Sequence, residues 1–109
     1  MRRLSVSDFL DKWITDDDKH RLNNPPSPLH LPVHKLIAPS KLNAAKPLKI
    51  YQIYRRNFVA GHKDRKLSYH VLNSQASQLW FDESSAIRGY FIFLQQLMRR
   101  HLDIVNHRN

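Results

Sequence analysis

The 109-residue chain has no cysteine, only two glycines, and half as many acidic as basic side chains. Without cysteine, neither a disulfide nor a thiolate metal site can hold it together, and the absence fits a reducing compartment. A domain of about 60–80 ordered residues buries only about 60% of its unfolded surface, so packing must be used economically. No apolar run approaches the ~20 residues that span a bilayer. Asp8 and Asp11 interrupt any apolar core in the N-terminal MRRLSVSDFLDKWITDDDKH, which excludes a signal peptide. Its five aspartates also argue against an acid-poor transit peptide, so a soluble intracellular protein is expected.

What is present in excess is positive charge: 18 Lys+Arg against 9 Asp+Glu, a formal +9. Such a balance favours a polyanionic partner, nucleic acid first and an acidic membrane surface second. Residues 1–24 carry five bases and five acids, residues 25–47 three lysines and no acid, and residues 48–109 ten bases and four acids. The surplus therefore lies in the last two segments.

All six prolines fall between Pro25 and Pro47. A stretch such as NNPPSPLHLPVHKLIAPSK cannot be a helix interior and favours extended or turn conformations. Residues 22–46 are read as a Pro-rich basic arm, with Leu29, Leu31, Val33, Leu36 and Ile37 able to lie against a folded surface. In residues 1–21, Phe9, Leu10, Trp13 and Ile14 form one stripe of a short amphipathic helix capped by Ser5 or Ser7, and Asp16–Asp18 are expected to end it.

The main domain, residues 47–105, is read as three helices, giving an all-α chain. Pro47 suits a helix's first turn, followed by Ile50, Tyr51, Ile53, Tyr54 and Phe58 at helical spacing towards Gly61. Ser68 caps a second helix with Leu72, Ala76, Leu79 and Trp80 on one face. Asp82-Glu83-Ser84-Ser85 then opens a third and longest helix, whose stripe is Ile87, Phe91, Leu94, Met98, Leu102 and Val105.

Three helices with this order of aromatics resemble an HMG box. The likeness is carried by KPLKIYQIYRRNF at 46–58, LSYHVLNSQASQLW at 67–80, DESSAIRGYF at 82–91 and LQQLMRRH at 94–101. YRR at 54–56 with ESSAIRGYF at 83–91 is similar to the HMG boxes of fungal mating-type regulators. The resemblance implies an L-shaped domain whose concave face enters the minor groove of double-stranded DNA and bends it, in a nuclear transcription regulator.

Carried onto this chain, the resemblance places Lys49 where the family commonly has a base-contacting asparagine. Tyr51 and Gln52 stand at the wedge, Arg55 and Arg56 near phosphates, and His70 and Asn73 at the groove. Leu72 is the aliphatic position between those two. Tyr54 and Trp80 are the corner aromatics, with Phe91 or Tyr90 packing against them, and Lys46 joins Lys35 and Lys41 in a basic arm beside the duplex. Gln52 is polar where the wedge is normally apolar, which predicts weaker bending, and Lys49 exchanges base readout for charge. Gly89, early in the third helix, costs about 1 kcal/mol relative to alanine.

Other readings follow from the same residues. Residues 1–21 offer an interface for a protein partner, as in a box that has lost DNA recognition, and non-specific architectural binding to DNA or structured RNA needs only the charge. Lys63-Asp64-Arg65-Lys66 reads as a solvated loop or a phosphate contact. Arg99-Arg100-His101 suits the end of a helix by dipole alone. His30-x3-His34 has helix-face spacing but lies among prolines with no carboxylate near, so no metal is expected. No convergent acid, base and nucleophile occur, so neither an enzyme, a small-molecule substrate nor a cofactor is expected.

Overall fold

A computed structural model describes residues 3–41 and 44–107; Met1, Arg2, Leu42 and Asn43 of the first two segments lie outside it, as do Arg108 and Asn109. The described residues are all-helical, with no strand. The helices are α1 (Val6–Lys12), α2 (Asp16–Leu22), α3 (Val33–Leu36), α4 (Ile50–Gly61), α5 (Tyr69–Asp82) and α6 (Ser85–His107). None is long and apolar enough to cross a membrane.

The N-terminal segment holds two helices where one was expected. Ser5 caps α1, its Oγ accepting the Asp8 N–H at 3.1 Å, and α1 ends at Trp13. Asp16–Asp18 do not end that helix; they open the next. Thr15 Oγ1 accepts the Asp18 N–H at 3.0 Å, and the Asp18 carboxylate accepts the Thr15 N–H at 3.3 Å, a reciprocal cap. Three carboxylates suit the positive end of a helix, so the charge cluster is a start signal rather than a stop.

In the main segment, α4 begins three residues after Pro47 because Lys49 is its extended N-cap, with the Lys49 N–H donating to Gln52 Oε1 at 2.8 Å. Ser68 Oγ accepts from the Val71 N–H at 3.3 Å at the start of α5, and Ser84 Oγ from the Ile87 N–H at 3.2 Å at the start of α6. Helix α6 has 23 residues, roughly 34 Å of helix at 1.5 Å per residue.

Helix α6 is the spine, and it has two apolar faces rather than one. Phe91 and Met98 face α4: the Phe91 ring sits 5.3 Å from Tyr54, and Met98 Sδ accepts from the Leu48 N–H at 3.4 Å. Tyr90, Phe93 and His101 face the N-terminal segment. The Tyr90 hydroxyl donates to the Leu22 carbonyl at 2.8 Å, the Arg21 guanidinium lies 4.7 Å from the Phe93 centroid, and His101 Nε2 is 2.8 Å from the Leu4 carbonyl. Burial pushes the Tyr90 phenol up to about 12, with Arg21 opposing the shift, so it remains a donor.

One core runs through all three sequence segments. It includes Phe9 of α1, Leu36 and Ile37 of the arm, Ile53 and Phe58 of α4, Leu72 and Ala76 of α5, and the faces of α6. Leu4, Val6, Leu10 and Ile14 pack against it, so most of the apolar side chains that residues 1–21 offer to a protein partner are used within the chain. The arm crosses the end of α4 closely: a Cβ on Gly61 would lie 2.5 Å from His30 Cδ2, and Asn57 Oδ1 accepts the His30 N–H at 2.6 Å. One ion pair occurs among the described residues, Arg100 to Asp18 at 3.1 Å, joining α6 to α2. Burial pushes the Asp18 carboxyl up, but the bonds from Arg100 and Thr15 outweigh it and hold the group below its ordinary value.

Gly89 has no comparable need to be glycine. A Cβ there would meet only Arg21 Nη2, at 3.8 Å, and its φ is not positive. Gly89→Ala is therefore expected to raise stability by about 0.5–1 kcal/mol through helix propensity and a less flexible unfolded chain. Chemical denaturation reads this as a higher midpoint at unchanged slope.

Candidate nucleic-acid interface

Helices α4 and α5 pack side by side, and the join is polar at one edge. Asn73, on the second turn of α5, is the hub. The Tyr51 hydroxyl lies 3.1 Å from both its backbone carbonyl and its Oδ1, and Arg55 Nη1 donates to the same Oδ1 at 3.1 Å. The Arg55 guanidinium stands 5.7 Å from the Tyr51 ring centroid and 5.6 Å from that of Tyr69. A cation is thus held between two aromatic faces and anchored by an amide, which fixes it before any ligand arrives. His70 is exposed on the first turn of α5, and Lys46 and Lys49 are exposed at the start of α4.

Tyr51, expected at the wedge, Arg55, expected near phosphates, and Asn73, expected at the groove, are therefore brought into one cluster; His70 lies on α5, and Lys46 and Lys49 precede α4. Gln52 and Arg56 are differently engaged. Gln52 spends its carbonyl on the α4 cap, and Arg56 points Nη1 at three arm carbonyls, 2.7 Å from that of Ala38 and 3.0 Å from that of Leu36. Tyr69 was not singled out from the sequence. Its position four residues before Asn73, hence on one helical face with it, was the available signal.

The corner aromatics hold this pair of helices against α6. Tyr54 is buried, 5.0 Å from the half-buried Trp80 and 5.3 Å from Phe91, and Leu72 is buried in the same core. Burial first, then the negative charge of Glu83, raises the Tyr54 phenol to about 12, so it stays protonated. Arg88 closes the corner, its guanidinium 5.3 Å from the Trp80 centroid and its Nη2 donating to the Trp80 carbonyl at 2.9 Å.

No cluster of three His, Asp or Glu able to hold a metal is found among the described residues. Comparison of the chain with protein-family models, with curated proteins and with solved structures finds no match.

Proposed function

We propose that this protein is a DNA-binding transcription regulator of the HMG-box kind, similar to fungal mating-type regulators, with α4, α5 and α6 as the box. In this reading the α4–α5 edge enters the minor groove of duplex DNA and bends it, and the protein acts in the nucleus. The observation that supports it best is the Tyr51–Arg55–Asn73 cluster: one face joins a fixed cation, an aromatic ring and an amide. Those are the side-chain types that contact phosphate, stack on or wedge against a base, and hydrogen-bond a base edge. The charge surplus supplies the salt-dependent part of the affinity. With the Gln52 carbonyl committed to the helix cap, Tyr51 is left as the principal wedge, and the bend is shallower than an apolar pair would give.

The test is binding to a pool of A·T-rich duplexes at two salt concentrations, with bending read by end-to-end fluorescence transfer. Affinity is expected to fall steeply with salt, and Arg55→Gln to weaken it about tenfold at the lower salt, the order of one charge-assisted contact. No binding at low salt, or binding indifferent to Arg55→Gln, would overturn the reading.

A further inference from the structure

Behind the Tyr51–Asn73 edge, the arm and α4 enclose an open cleft of about 400 Å³. Four cations from three separate elements line it: Lys35 on α3, Arg55 and Arg56 on α4, and Lys63 in the loop that follows. No acidic side chain is among its lining residues. Between the cations lie apolar side chains, Leu31 of the arm with Val59 and Ala60 of α4, and at the rim the largely exposed ring of Tyr69. Both guanidiniums are already oriented, Arg55 by Asn73 and the two tyrosine rings, Arg56 by the arm carbonyls. Lys35 and Lys63 are exposed, and neither makes an ion pair among the described residues.

From this geometry we infer that the cleft is a nucleotide site, taking a phosphate on Lys35, Arg55 and Lys63 and a base ring against Tyr69 and the apolar wall. A bare inorganic anion would leave that wall and ring unused, and an uncharged ring would leave the cations unused. The space is of the order needed for a small ligand, since binding clefts run from about 300 Å³ upwards. Base–aromatic stacking contributes in a sequence-tolerant way, so the site selects a nucleotide rather than a particular base. The same chemistry is offered by a free mononucleotide and by one unit of a single strand. Arm residues Leu31 and Lys35 close the cleft against α4, so it needs a segment beyond the three helices of the proposed box. The inference shares Arg55 with the duplex reading but does not rest on it.

The test titrates the full chain with 5′-AMP, adenosine and inorganic phosphate at low salt, following amide and aromatic resonances. AMP is expected to shift Leu31, Val59, Ala60 and Tyr69, and to bind at least about fivefold tighter than adenosine or phosphate alone. The K35Q/K63Q double variant is expected to lose about fivefold in AMP affinity with an unchanged unfolding midpoint, because both side chains are solvent-exposed. A 5′-phosphorylated single-stranded hexamer then separates the sources. Tighter binding than AMP, with the same residues shifted, assigns the site to a strand; equal affinity assigns it to the free nucleotide. Shifts absent from these four residues for both AMP and hexamer, or AMP affinity untouched by K35Q/K63Q, would overturn the inference. Duplex binding can fail while AMP binding persists, which distinguishes this site from the proposed function.

Discussion

Leu36→Ala is expected to destabilise the protein by about 3 kcal/mol, within the range of fully buried leucines whose surroundings collapse only in part. Leu36 has 0% exposure although it belongs to a four-residue helix in the Pro-rich arm. An isolated helix that short does not form in water. Its backbone is ordered only because α1 and α4 contact it and because Leu36 and Ile37 complete the core. Small domains have a total stability near the lower end of about 5–15 kcal/mol, so this one methyl-rich side chain carries a large share.

The same argument extends to the whole N-terminal portion. A chain cut to residues 46–107 loses Phe9, Leu36 and Ile37 from the core and leaves the Tyr90 hydroxyl and His101 Nε2 without the Leu22 and Leu4 carbonyls. It also uncovers Phe93, which is buried under the N-terminal segment. The cut chain is expected to show no cooperative urea transition, where the full chain shows one. A cut chain with the midpoint of the full chain would mean that α4–α6 form a self-sufficient domain.

Local signals made α4, α5 and α6 legible. Ser68 and Ser84 are caps that act within three residues, and the Phe91–Met98–Leu102 stripe has a plain 3.6 period. Tyr54, Trp80 and Phe91 were readable as packing partners because each lies on its helix's apolar face. The second face of α6 is not legible locally: Tyr90 reads as an alternative to Phe91 at the corner but bonds the Leu22 carbonyl instead, and Phe93 and His101 have meaning only once a partner segment is known to lie there. His101 in particular reads as a terminal cation, yet it is buried edge-on to Phe9, 5.4 Å between centroids. Asp16–Asp18 were misread because acidic runs are compatible with a loop as well as a helix start; Thr15 three residues before Asp18 was the deciding signal. At the interface, Tyr51, Arg55 and Asn73 were each named, but the amide that joins them acts across 18 to 22 residues of sequence, beyond any local pattern.

Arg56→Ala is expected to cost about 3 kcal/mol, and this is where the expectation from resemblance and the geometry part most clearly. The resemblance puts Arg56 on a phosphate. In the fold its Nη1 lies 2.7, 3.0 and 3.4 Å from the carbonyls of Ala38, Leu36 and Lys35, at the C-terminal end of α3. A helix leaves its last carbonyls without partners, and a cation there satisfies them and opposes the dipole. Hydrogen bonds to a charged group are worth about 1.5–3 kcal/mol each, though three on one nitrogen do not add. Burial lowers the Arg56 pKa from its ordinary value, but an arginine so placed remains charged.

Arg56→Lys keeps the charge and loses the planar fork, so it should recover about half of the loss. Amide exchange at Ile37 and Ala38 should accelerate in Arg56→Ala more than exchange in α5, because the arm loosens before the α4–α5 pair does. If Arg56 served only a phosphate, its replacement would lower duplex affinity and leave the unfolding midpoint where it was. The clamp predicts the reverse order of effects: stability falls first, and affinity follows because Lys35 and the arm are no longer held beside α4.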